Sequence, residues 1–223
     1  MEHKRRKTLL SVVLIVVGSL VVLALGALGI LKIRTAAILD DFSSVYENEK
    51  YRTPVMIDGV DVIKQDVSCG YAVLEMFSSW SGHSVTEESL YDQYGKVVTS
   101  TSKAFCREMN RQFPEYTTTV CRYLKNTELI DAVYDDLSAG IPVPFEWAAL
   151  YGDEWTLHYS LIIGADIPAD RITVANPYGY IEELTVAELL DRTSFEAYEN
   201  MPLFLKLAFA FGIFEKNTVF KVQ

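Results

Sequence analysis

Histidine and cysteine are scarce in this chain, three of each in 223 residues. Only His83 and His158 lie beyond the N-terminal segment, and Cys69, Cys106 and Cys121 are scattered, so the clustered spacing that holds a structural or catalytic metal is missing. The sequence therefore predicts neither a metal centre nor a cofactor. A glycine-rich ATP-binding loop is absent, and no internal repeat or low-complexity tract is visible. Basic side chains are also few: residues 35–223 carry 14 of them against 29 acidic ones, a net charge of −15 with histidine neutral. Such a surface repels nucleic acid and attracts cationic peptides or basic segments of other proteins. Nucleic acid is thus excluded as a partner, and peptide or protein is the expected substrate.

Residues 9–31, LLSVVLIVVGSLVVLALGALGIL, lack any charged side chain. At about 1.5 Å per helical residue they cover the roughly 30 Å hydrocarbon core of a bilayer. Lys4, Arg5, Arg6 and Lys7 precede the run, whereas Lys32 and Arg34 are soon opposed by Asp40 and Asp41, so the positive-inside rule places the N-terminus in the cytoplasm. A cleaved secretory signal, with small residues at Ala24, Gly26, Ala27 and Gly29, is the alternative, but its apolar region runs shorter. The expected organisation is a cytoplasmic basic tail (1–7), a single transmembrane anchor (8–31), a polar stalk lifting the rest off the membrane (32–55), and one extracytoplasmic domain (56–223).

Within that domain DGVDVIKQDVS alternates like a strand, and CGYAVLEMFSSW runs like a buried helix. Thr86 caps a short helix ended by Gly95, Ser102 caps another stopped by Pro114, and a third runs from Thr127 to Ala139 with Gly140 as its stop. Around these, YTTTVCRYL, IPVPFEWAAL, TLHYSLIIGAD, RITVANPYG and NTVFKVQ are β-type runs, and Thr185 with Glu188 forms a capping box for VAELLDRT. The order is helices first, antiparallel sheet second, an α+β class. The apolar segment FEAYENMPLFLKLAFAFGIF is too short to span a bilayer and carries Lys206; a core helix is the default, a helix lying on the membrane the alternative.

Cys69 falls on the first turn of its helix, where unpaired N–H groups and the helix dipole favour a thiolate. A cysteine nucleophile needs a base and a third group to orient that base. His158 opens an apolar strand and is the better positioned histidine, since His83 lies in a loop between helices. A hairpin around IPAD returns Asn176 to the side of His158, where its amide oxygen can accept the imidazole N–H. Gln65, four residues before Cys69, can supply a side-chain donor to an oxyanion. Trp147, Tyr151 and Trp155 precede His158 and read chiefly as packing. The odd cysteine count fits either a free Cys69 with a Cys106–Cys121 bridge or three unbridged thiols.

QDVSCGYAVLEM, HYSLIIG and VANPYG, in that order, resemble the papain-like cysteine peptidases. The nearest likeness is to the bacterial double-glycine leader peptidases and their stand-alone, membrane-anchored relatives. The resemblance implies a papain-like α+β fold with Cys69 as nucleophile, His158 as general base and acid, Asn176 as orienting residue and Gln65 as oxyanion donor. Two departures stand out. The family generally sets its glutamine two residues further upstream, where this chain has Ile63, and usually carries Asp where Asn176 stands. The expected function is a membrane-anchored extracytoplasmic cysteine peptidase or amide hydrolase. The alternatives are an acyl-transferring enzyme of the same fold and a binding module that has lost turnover.

Overall fold

The computed structural model describes residues 2–96, 99–195 and 201–223. Residues 196–200, the front of the C-terminal apolar segment, lie outside them. Helix α1 (Glu2–Ile38) is long and apolar enough to cross a membrane. It is followed by two short 3-10 turns, Ser43–Glu47 and Glu49–Tyr51, and by strand β1 (Val55–Met56). Then come α2 (Cys69–Ser81), α3 (Glu87–Tyr94), α4 (Ser102–Gln112), β2 (Thr118–Cys121) and α5 (Asn126–Ser138). The second half holds β3 (Val143–Tyr151), β4 (Glu154–Asp166), β5 (Arg171–Asn176), β6 (Tyr180–Leu184), α6 (Val186–Ser194), α7 (Leu203–Ala210) and β7 (Thr218–Val222).

The strands form one antiparallel sheet in the order β2-β7-β3-β4-β5-β6, with β1 pairing β4. This is the helices-then-sheet α+β arrangement read from the sequence. The apolar residues of α2, α4 and α5 bury against the sheet in one core that includes Tyr71, Phe77, Phe105, Leu129, Phe145, Trp147 and Phe220. A smaller second core joins Ala148, Phe195, Met201, Leu205 and Phe209, with Leu31 of α1 packed on it.

Three expectations need correction, and one helix cap shifts by a residue. Residues 58–68 form no strand: their backbone N–H groups bond instead to Glu87, Ser79 and the Pro177 carbonyl, with an isolated bridge between Lys64 and Tyr178. The stalk is not a free spacer. Helix α1 continues through residue 38, and the segment after it lies on the domain: Asp40 accepts from Thr127 at the start of α5, Lys50 bridges Asp131 and Asp135, and Val45 and Tyr51 are buried. Lastly, α7 is only half core, since Leu205, Ala208 and Phe209 are buried while Leu203 and Phe204 are 71% and 67% exposed. The cap of α4 is Thr101 rather than Ser102, a one-residue shift.

Candidate active site

Cys69 is the first residue of α2, as its sequence context predicts. Ser68 caps the helix, its hydroxyl accepting from the Tyr71 N–H at 3.2 Å. The approach to the cysteine is held by a buried carboxylate: Glu87 accepts from the backbone N–H groups of Asp66 (2.7 Å), Val67 (2.9 Å) and Ser68 (2.6 Å). Residue 70 has to be glycine in this packing, because a Cβ there would stand 2.3 Å from Thr99 Oγ1 and 2.6 Å from Thr99 Cβ.

The thiol itself differs from expectation. Backbone N–H groups of Tyr159, Gly70 and Cys69 do favour its anion, but burial outweighs them and, with the nearby Glu146 carboxyl, pushes the thiol up to about 11. The helix start is not enough to ionise it at rest.

Strands β4 and β5 pair as the hairpin expected around residues 167–170, with a register irregularity between Ile162 and Gly164. His158 Nε2 donates to Asn176 Oδ1 at 3.1 Å, which leaves Nδ1 as the nitrogen open to a thiol. Asn176 Oδ1 also accepts the Tyr178 N–H at 3.0 Å, and its Nδ2 donates to Glu182 Oε2 at 2.7 Å, so both ends of the amide are fixed. Glu182 in turn pairs with Arg192, which donates from Nε to the Ala148 carbonyl at 2.8 Å and lies 3.6 Å over the Trp147 ring. The Tyr178 ring stacks on His158 with centroids 4.4 Å apart, and the imidazole is 2% exposed. Burial, opposed by the Asn176 bond and reinforced by the Arg192 charge, brings the imidazole down to about 4.

The nucleophile arm and the histidine arm meet through backbone. The Cys69 thiol faces the N–H of Tyr159, the residue after His158, and the Gln65 N–H donates to the Pro177 carbonyl at 2.7 Å, next to Asn176. Gln65 Oε1 is buried without a hydrogen-bond partner. His83 instead sits at the surface, bridging Glu115 at 2.8 Å and Ser81 at 3.0 Å. Trp147 is core, whereas Tyr151 at the β3–β4 tip is exposed and lies 5.9 Å from the Tyr178 ring. All three cysteines are unbridged. Among the described residues no group of three or more His, Cys, Asp or Glu side chains could hold a metal ion.

Four contributors escaped the sequence reading. Glu87 lies 18 residues beyond Cys69 and carries no local signal. Glu182 and Arg192 become partners only once α6 docks beside β3. Glu146 pairs in register with Tyr159 and is fully buried; the Tyr159 hydroxyl faces its carboxyl without reaching standard hydrogen-bond geometry, and burial raises the acid to about 8.

Comparison with known proteins follows the same outline. No curated protein matches the chain. Residues 57–202 match the model of the Peptidase_C39 like family, a stretch running from the end of β1 past α6. Since that stretch contains the Cys69 helix and the His158–Asn176 hairpin alike, the chain belongs to the Peptidase_C39 like family and carries its cysteine-peptidase type of α+β fold.

Proposed function

We propose that this protein is a membrane-anchored, extracytoplasmic cysteine peptidase or amide hydrolase acting on peptides through Cys69, His158 and Asn176. The observation that carries the reading is the 3.1 Å bond from His158 Nε2 to Asn176 Oδ1, which leaves Nδ1 free on a strand whose next residue, Tyr159, has a backbone N–H that favours the Cys69 thiolate. In the reaction Nδ1 takes the thiol proton as Sγ attacks the scissile carbonyl. The imidazolium then gives that proton to the leaving amine as the C–N bond breaks, and water, deprotonated by the same ring, releases the acid from the thioester. With both groups neutral at rest, proton transfer accompanies attack rather than preceding it.

The tetrahedral oxyanion needs two donors. The Cys69 backbone N–H supplies one and the Gln65 amide the other, once a half-turn of that amide exchanges its buried, unpartnered oxygen for nitrogen. Anchoring rests on α1, with its charge-free run and the basic residues before it.

A second reading, a binding module without turnover, draws on the burial of His158 beneath Tyr178 and the high thiol pKa. Covalent capture by an electrophilic peptide separates the two. The peptidase reading expects capture by the wild-type chain and none by Cys69→Ala or His158→Ala at unchanged melting temperature. A wild-type chain that is never captured, or capture that survives Cys69→Ala, overturns it.

A further inference from the structure

At the foot of α1 the molecule departs from its own composition. A pocket of about 800 Å³ opens between the end of that helix and the domain, lined by Arg34, Lys103, Arg122 and Lys125. Among the described residues only two acids, Glu128 and Glu215, share the lining, on a domain whose net charge is −15. Glu215 is engaged by Arg122 at 2.8 Å, and Glu128 accepts the Lys125 N–H at 3.0 Å. The lining is thus a net cation, and its volume suits a small phosphate-bearing headgroup.

The pocket's position fixes the level at which it works. Leu31, the last residue of the charge-free run, packs into the second core against α7, and Arg34 stands one helical turn beyond it. Helix α7 lies beside α1 and turns Leu203, Phe204 and Leu207 outward, continued by Phe211 and Ile213 at 59% and 57% exposure. Gly212, between those two, lines the pocket. An apolar flank and a cationic recess therefore adjoin the point where the apolar helix enters the domain, in the order of acyl chain and headgroup.

We propose that this foot binds an anionic phospholipid, with its phosphate in the Arg34–Lys103–Lys125 recess and its acyl chains along the exposed side of α7. The inference rests on α1 being a membrane anchor, so the test reads the two separately. The full-length chain is reconstituted in phosphatidylcholine vesicles containing chain-brominated phosphatidylglycerol or, at equal mole fraction, chain-brominated phosphatidylcholine. Tryptophan quenching is followed for Val22→Trp in mid-span and Phe211→Trp beside the pocket, each against the wild-type background. The expected result is quenching of Val22→Trp by both lipids and of Phe211→Trp preferentially by phosphatidylglycerol. In a Lys103→Gln background the phosphatidylglycerol fraction giving half-quenching of Phe211→Trp should rise roughly fivefold.

Quenching of Val22→Trp without quenching of Phe211→Trp would overturn the lipid site and leave the anchor standing. Equal quenching of Phe211→Trp by both lipids, or a Lys103→Gln background without effect, would overturn the anionic recess. Abolition of the preference by soluble glycerol phosphate would show that a free phosphate, not a lipid, is the ligand. Absence of quenching at both positions would overturn anchor and site together.

Discussion

The neutral state of the reacting groups is set residue by residue. Burial brings His158 down from its usual 6.5 to about 4, so its ring is neutral through neutral pH and, in the proposed role of base, would lose it only as pH falls toward 4. The acid limb of kcat/KM on a peptide amide should accordingly lie well below 6.5, and a limb at 6.5 would mean the ring is solvated during turnover. Glu146 works in the opposite sense on stability. Its folded pKa of about 8 exceeds the unfolded 4.5, so native stability is highest with respect to this group below 4.5, where it is protonated in both states, and is lost as pH rises through about 8 and the buried carboxyl must ionise. Glu146→Gln should flatten the loss of melting temperature across that interval and leave the variant the more stable at its upper end, as thermal unfolding at several pH values will report. Neither shift was legible beforehand: the dipole argument foresaw a stabilised thiolate at Cys69, but burial depends on what the sheet lays over the helix start.

Among elements, the hairpin was the most legible part of the site, because four turn residues between two β-type runs fix the register that brings Asn176 back to His158. The Thr86 cap and the Thr185–Glu188 capping box fixed two helix starts for the same reason: their partners lie three residues away, and at Thr86 the structure adds a reciprocal bond from Ser89. Residues 58–68 misled because Val60 and Val62 alternate with polar neighbours while the backbone is held in part by a distant carboxylate. What holds the elements of the candidate site together is equally non-local. Glu182 ties β6 to the end of β5 and, through Arg192, to α6 and β3. Glu182→Gln should lower kcat by up to about a hundredfold with little change in KM, since a misplaced orienting amide costs rate rather than binding. An unchanged kcat would show that Asn176 is held without it. On the nucleophile side, Gly70→Ala drives a methyl into Thr99 and should cost about 1–3 kcal/mol in urea unfolding. Thr99→Gly in the same chain should recover most of that loss.

Across the whole molecule, the proposed function makes charge and attachment the determinants of which peptides would arrive. The net charge of −15 beyond residue 34 should draw basic peptides to the domain. For a lysine-rich substrate kcat/KM should therefore fall as ionic strength rises, while a neutral peptide of equal length shows little change. The stalk was the one large misreading at this scale. Its composition is polar, yet its contacts are polar too: Lys50 with Asp131 and Asp135, Asp40 with Thr127, and the Tyr134 hydroxyl with the Thr53 carbonyl. Since α1 runs unbroken to Ile38 and Leu31 is clasped by the second core, no slack separates the apolar helix from the domain. With α1 in a bilayer, the reactive sulfur would ride at a constant altitude above the lipid, as on a rigid leg rather than a leash. A polypeptide would then be cut only where its own scissile bond is presented within that thin horizontal zone.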